Sequence, residues 1–305
     1  MFRTLLFAPG NESRKVQKSG QFGADAIVLD LEDAVPNAEK VATRGSIQKA
    51  LDTMGHLHMY VRVNSVPTDL TEGDIDGVAH PHLKGIVLPK AEGPEDIRKT
   101  DAWLAAAEKK AGLPPGRLQI LPLIETTKGI LAAYDTVRAS PRIPTVIFGS
   151  GDYTLDLDIP AMEWSPEGYE LMYARLRLIV VCRAAGIERP VDGPYLDVFN
   201  LEGLRQEAIL ARKMGFQGKL SIHPSHVAVI QEIFSPKAEE VALARKVKEA
   251  FEKKEAGGSA SITVDGKFID YPIYYKAKKI LEFAEAVEER QKEGSVNRVP
   301  VSHQT

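Results

Sequence analysis

The sequence predicts an α/β protein: a (β/α)8 TIM barrel followed by a C-terminal helical lid extension. Three observations carry this prediction. Eight short apolar runs alternate with longer amphipathic segments over roughly 230 residues. Each run is nearly continuously apolar rather than alternating, as parallel strands covered on both faces require. No glycine-rich dinucleotide fingerprint follows the first run, which disfavours the competing doubly wound sheet.

The runs are FRTLLFA (2–8), DAIVLDL (25–31), HMYVRVN (58–64), GIVLPK (85–90), LQILPLI (118–124), PTVIFGS (144–150), a weaker PVDGPYLDV (190–198) and GKLSIH (218–223). Between them, NESRKVQKSGQFG, PNAEKVATRGSIQKALDTMG and GPEDIRKTDAWLAAAEKKAG open on turn or capping residues and close near glycine, as helices do. SPEGYELMYARLRLIVVCRAAG repeats that pattern with Pro166 just inside its start. The barrel is expected over 1–233 and the extension over 234–293. In the extension, a charged helix (SPKAEEVALARKVKEAFEKKEA) leads to a flexible AGGSAS break, a strand-like SITVDGKFID and a last helix, YPIYYKAKKILEFAEAVEERQK. Residues 294–305 read as a disordered tail.

Composition excludes several classes. With 39 Lys+Arg against 42 Asp+Glu, the chain lacks the basic excess of a nucleic-acid surface, and no basic–aromatic interleaving appears. No stretch reaches the roughly 20 apolar residues of a membrane span. MFRTLLFAPG is too short and too soon broken by proline for a secretory signal, so a cytoplasmic (cytosolic or organelle-matrix) protein is expected. The single cysteine, Cys182, forms no intrachain disulfide and reads as a small buried hydrophobe.

A barrel of this kind builds its active site at the C-terminal ends of its strands, and reactive residues gather there. Asp30, Glu32 and Asp33 end the second run, Arg62 and Asn64 the third, and Lys90 the fourth; Glu125, Asp152 and His223 follow the fifth, sixth and eighth. Glu125 is either a metal or proton-transfer group or a carboxylate favoured by a helix N-terminus. Asp152 sits in FGSGDY, where Gly149 and Gly151 let backbone approach a ligand; the other reading is a cap on the following segment. Two carboxylates on neighbouring strand ends suit Mg²⁺, whereas zinc lacks its usual His/Cys spacing. His56, His58, His80 and His82 read as non-ligands. The fork of Arg62 suits a substrate carboxylate or enolate oxygen, or a buried ion pair with Asp30 or Glu32, and the two roles are compatible.

LLFAPGN, VLDLEDAV, VRVNS, LPKAE, LPLIET, FGSGDY, MGFQGKLSIHPS and GKFIDYPI, in that order, resemble the citrate lyase β-subunit-like family of malyl-CoA and citramalyl-CoA lyases, within the HpcH/HpaI aldolases. The likeness runs from Phe2 to about Leu281. It implies a Mg²⁺-dependent carbon–carbon lyase that cleaves a 3-hydroxyacyl-CoA to acetyl-CoA and pyruvate or glyoxylate. It implies Glu125 and Asp152 as metal ligands and Arg62 on the substrate carbonyl or carboxylate; Asp30, Glu32 and Asp33 are read, from their strand-end positions, as groups orienting these. Phe7, Arg14 and Lys18 fall on the coenzyme A contacts, and Ile222 and His223 on the family's eighth-strand pair. Asp270 falls on a catalytic lid aspartate that reaches a neighbouring subunit of a homotrimer or hexamer; by sequence alone it is a helix N-cap before Pro272. Two departures stand out: Gly151 replaces a glutamate common beside the metal-binding aspartate, and Phe7 stands where relatives carry tyrosine. The competing readings are a citrate lyase β-subunit acting on a citryl thioester of an acyl carrier protein, an aldolase of free 2-oxoacids, and a binding module without turnover.

Overall fold

Eight parallel strands join in sequence order, β1 (Thr4–Pro9), β2 (Ala26–Asp30), β3 (Met59–Arg62), β4 (Leu83–Leu88), β5 (Gln119–Ile124), β6 (Ile147–Phe148), β7 (Val191–Asp192) and β8 (Gly218–Ser221). β8 returns to β1, with Leu5 paired to both Ala26 and Leu220, so the sheet closes into the predicted barrel. This computed structural model describes residues 1–160, 165, 167–255 and 261–296. Pro166, most of the AGGSAS break and residues 297–305 of the expected tail lie outside the described residues. Contacts divide the chain into two units, Phe2–Phe234 and a second one from Ser235 onward that also takes in Met1.

Nine helices of the first unit are described: α1 (Ser13–Ser19), α2 (Lys40–Thr53), α3 (Thr71–Val78), α4 (Pro94–Lys110), α5 (Thr127–Val137), α6 (Ser150–Asp156), α7 (Tyr169–Ala185), α8 (Leu201–Met214) and α9 (Ser225–Phe234). Local chemistry explains their ends. α4 starts at Pro94 with Glu95 and Asp96 in its first turn and finishes on Lys109 and Lys110, complementing the helix dipole at both ends. α7 stops at Gly186, whose φ of 74° is the left-handed conformation that terminates helices. The expected 190–198 strand contracts to Val191–Asp192, because Pro194 brings no N–H to a ladder.

Successive side chains on each strand face opposite ways. One set, including Leu5, Val28, Tyr60, Val87, Leu121, Leu123, Ile147, Val191 and Leu220, forms the barrel's inner core. The alternate set, including Leu29, Val61, Ile86 and Ile120, joins the helices in a larger outer core. Cys182 belongs to that outer core, where burial pushes its thiol up to about 12 and leaves it inert.

The outer layer also buries a charge network that the sequence did not reveal. Asp192 accepts hydrogen bonds from Arg175 Nε (2.9 Å) and Nη2 (3.0 Å) and from Lys219 Nζ (2.7 Å). Glu207 pairs with both cations. Burial works against the Asp192 charge, but Arg175 and Lys219 outweigh it and hold the carboxyl below the usual range.

The second unit contains α10 (Ala238–Glu255), a hairpin of β9 (Ile262–Val264) and β10 (Lys267–Ile269), and α11 (Tyr271–Val296). The sequence predicted one short strand here. Asp265 and Gly266, at φ 48° and 75°, instead turn the chain tightly enough to pair its two halves. Val247, Phe251, Val264, Ile269 and Tyr274 form a separate small core, with Phe251 stacked on Tyr274 at 4.7 Å between ring centres.

Removing Asp192 strands two buried cations against one remaining carboxylate. Asp192→Ala is expected to cost about 3–5 kcal/mol in urea unfolding. A loss below about 1 kcal/mol would show that the network does not stabilise the barrel.

Candidate active site

The inward register of the strands continues past their last apolar residue. Two positions after Leu5, Val28, Tyr60, Leu123, Ile147 and Leu220 come Phe7, Asp30, Arg62, Glu125, Gly149 and Ile222. The same alternation that fills the core therefore delivers these residues to one mouth. A cavity of about 150 Å³ opens there, bordered by Phe7, Asp33, Arg62, Glu125, Asp152 and Ile222 among others.

Arg62 is the pivot of this mouth. Its Nε and Nη2 donate to the two oxygens of Asp30 at 2.7 and 2.6 Å, and Nη1 lies 3.0 Å from Glu32 and 3.3 Å from Asp33. The ion pair weighed from sequence is thus present. The guanidinium also rides over the Phe7 ring at 5.3 Å, an attraction between a cation and a π face. Its five N–H donors exceed the three hydrogen bonds made to Asp30 and Asp33, and it still borders the cavity.

Glu125 is buried, and its Oε1 accepts the Lys90 backbone N–H at 2.9 Å. It does not cap α5, because Thr126 Oγ1 accepts from the Gly129 N–H in that role. A side chain on Gly149 would put its Cβ 2.4 Å from Glu125 Oε2, so glycine is what admits this carboxylate. Burial first, then the charges of Asp152 and Glu32, push the Glu125 carboxyl up to about 8 despite Lys90.

Asp152 lies in the first turn of α6, whose N-cap, Gly149, makes no side-chain bond. Its Oδ2 instead sits 3.2 Å from Lys90 Nζ. Asp156, at the other end of α6, accepts from Thr127 N and Oγ1, both at 2.6 Å, and so ties the segments carrying Asp152 and Glu125 together.

Other expected residues of the barrel unit are not among those lining the cavity. Arg14 and Lys18 are exposed on α1, four residues apart on one helix face. His223 Nδ1 pairs with Ser225 Oγ at 2.7 Å. Asn64 turns into a structural network with Lys40 (2.6 Å) and Asp74 (2.7 Å). Asp270, in the second unit, accepts from the Ile273 N–H at 3.3 Å as a cap of α11. Lys90, noted in the sequence only as a strand end, turns out to touch three carboxylate side chains: Glu32 and Asp152 through Nζ and Glu125 through its backbone. Only the folded barrel brings these residues together, so spacing carried no such signal.

The donor set fits Mg²⁺. Glu125 and Asp152 offer hard oxygens, and a buried carboxyl raised to about 8 marks a place where the protein's own groups leave the ionised form undercompensated. Among the described residues no three His, Cys, Asp or Glu side chains are placed to hold an ion by themselves. Mg²⁺ is the ion that accepts few protein ligands and keeps water or substrate oxygens for the rest.

The raised Glu125 has a consequence for the metal-free protein. Its carboxyl keeps a proton in the folded state up to about pH 8 but loses it near the ordinary 4.5 when unfolded. Folding therefore retains a proton within that window, and stability falls as pH rises through it. The Tm of metal-free protein should decline across this range more steeply than that of Glu125→Gln. Parallel profiles would contradict the assignment.

The sequence matches the family HpcH/HpaI aldolase/citrate lyase over residues 3–224, and a C–C bond lyase of the TIM-barrel fold over residues 172–288. It is 32% identical to citrate lyase subunit beta of Leuconostoc mesenteroides subsp. cremoris, over 93% of each chain. It is 30% identical to the mitochondrial citramalyl-CoA lyase of Homo sapiens, covering 94% of this chain and 87% of that one. A crystal structure of the protein CitE from Mycobacterium tuberculosis in complex with magnesium, acetoacetate and coenzyme A superposes with a TM-score of 0.74 at 26% identity, over 93% of this chain and 98% of the other. With a closed barrel carrying a carboxylate-rich mouth, the chain belongs to the HpcH/HpaI aldolase/citrate lyase family and is one of its carbon–carbon lyases.

Proposed function

We propose that the protein is a Mg²⁺-dependent lyase that reversibly cleaves a 3-hydroxyacyl-CoA, citramalyl-CoA or malyl-CoA, to acetyl-CoA and pyruvate or glyoxylate. The observation that carries this reading is the convergence of Glu125, Asp152 and Arg62 on one small cavity at the barrel mouth. Kinship with a citramalyl-CoA lyase and with a magnesium- and coenzyme A-bound CitE supports the substrate class.

In this reading Glu125 and Asp152 hold Mg²⁺, with Asp156 fixing their spacing through Thr127. The bound ion supplies Lewis-acid stabilisation of the oxygen charge that develops as the carbon–carbon bond breaks. Arg62 is held rigid by Asp30, with Glu32 and Asp33 beside it, so it meets a substrate oxygen without reorganising. Phe7 and Ile222 supply apolar walls, and Leu123 and Leu220 the floor, which limits water at the reacting carbons. Arg14 and Lys18 place two positive charges on an exposed helix face for coenzyme phosphates, and His223 follows Ile222, which borders the cavity. Asp270 delivers a proton to the thioester α-carbon after cleavage, or removes it in condensation. The open space around Gly151 widens the mouth beside Asp152.

We assign Asp270 to the site of a neighbouring subunit in a homotrimer or hexamer. Support comes from an apolar stripe on α7, where Tyr169, Tyr173, Leu176 and Val180 recur at helical spacing and are all exposed among the described residues, as is Leu131 of α5. Among the described residues no helix is long and apolar enough to cross a membrane. Light scattering should therefore report an oligomer for the wild type and a smaller species for Tyr173→Asp/Val180→Glu. An unchanged mass would remove α7 from the interface.

The second reading, a citrate lyase β-subunit acting on an acyl-carrier-protein thioester, is favoured by the match to the Leuconostoc protein. Purified chain assayed with malyl-CoA, citramalyl-CoA and citryl-carrier thioester, with and without Mg²⁺, separates the two. Turnover of the carrier thioester alone would reverse our preference. In the productive assay Glu125→Ala should lose metal-dependent activity. Asp270→Ala should fall by about 10²–10⁴-fold while still binding Mg²⁺. Wild-type turnover by Asp270→Ala would end its catalytic assignment.

A further inference from the structure

Among the described residues, the mouth sets five carboxylates, Asp30, Glu32, Asp33, Glu125 and Asp152, against two cations, Arg62 and Lys90. The cations divide the work unequally. Arg62 is spent on Asp30, Glu32 and Asp33. Lys90 faces the expected metal ligands: Nζ is 2.9 Å from Glu32 Oε1 and 3.2 Å from Asp152 Oδ2, and its N–H binds Glu125 Oε1 at 2.9 Å.

The backbone at Lys90 is unusual. Its φ of 48° lies in the left-handed region, which is strained for a residue with a Cβ. That conformation aims the Lys90 N–H at Glu125 while the side chain spans Glu32 and Asp152. Strain of this kind persists where the surroundings fix it, and such positions cluster at functional sites. About a third of the Lys90 side chain is exposed, which leaves the ammonium room to move.

We propose that Lys90 is a positioning residue that stands in for the divalent ion: its ammonium holds Asp152 and Glu32 in place while the metal is absent, yields Asp152 when the metal binds, and thereby sets the affinity of the site. The inference rests on Glu125 and Asp152 being the metal ligands. The physical basis is competition between two cations for one carboxylate. An ammonium and a divalent ion on the same oxygen repel each other, so the ion must displace Lys90 from Asp152, while Glu32 keeps a partner ready for the released ammonium. The same competition guards the metal-free mouth against the repulsion of its own carboxylates.

The test is Mg²⁺ titration followed by calorimetry and by the rise in Tm, with activity left aside. Lys90→Met removes the competing charge while keeping the backbone N–H, and should bind Mg²⁺ at least tenfold more tightly than wild type. Its metal-free form should melt lower. Lys90→Arg retains the charge and should stay within threefold of wild-type affinity. Equal or weaker binding by Lys90→Met overturns the proposal. If Lys90→Met does not fold, ¹³C-lysine-labelled wild type decides: the resonance missing from Lys90→Arg should shift on adding Mg²⁺ and saturate with the calorimetric Kd, and a stationary resonance overturns the proposal. Wild type that binds no Mg²⁺ defeats the metal reading and this inference together; normal wild-type binding with an unaltered Lys90→Met defeats the inference alone.

Discussion

Closure of an eight-strand parallel sheet is the constraint on which everything else depends. Once β8 returns to β1, every strand must send alternate side chains toward a shared axis. Below the rim these are Leu5, Val28, Tyr60, Leu123, Ile147 and Leu220, and they fill the interior. One step higher the register presents Phe7, Asp30, Arg62, Glu125, Gly149 and Ile222. Core and active site are successive layers of one alternation, and the apolar layer supplies a low-dielectric floor that strengthens the charges above it.

That floor explains the electrostatics of the mouth. Burial raises Glu125 and Glu32, and both remain close to further carboxylates. Burial also works against the charge on Lys90, but the hydrogen bond and charge of Glu32, with Glu125 and Asp152, hold its ammonium above the ordinary range. The barrel thus concentrates negative charge in a place where water cannot disperse it. A hard divalent cation is the kind of species that such a place suits.

The buried Arg175–Asp192–Lys219–Glu207 network works at a different level. It lies on the outward register of β7 and β8 and joins the shortest part of the sheet to α7 and α8. β6 and β7 have only two ladder residues each, so backbone pairing contributes little there. Charge-assisted hydrogen bonds take over the task of fixing that side of the barrel.

The order of strands and helices was legible in the sequence because each run needed only its neighbours to declare itself: apolar runs, capping residues and glycine ends are local signals. The gathering of Asp30, Arg62, Glu125 and Asp152 at one end followed from the rule that the strands of such a barrel all point the same way. Kinship was legible because motifs such as VLDLEDAV and FGSGDY stand in order along one chain. Sequence could not show that Thr126 rather than Glu125 caps α5, that Lys90 reaches three carboxylates, or that Asp192 is buried between two cations. Those facts depend on which groups from distant segments come within about 3 Å of one another, and on how much water is excluded between them. Charge sign and spacing belong to the sequence; distance and burial, which decide what a charge does, belong to the fold.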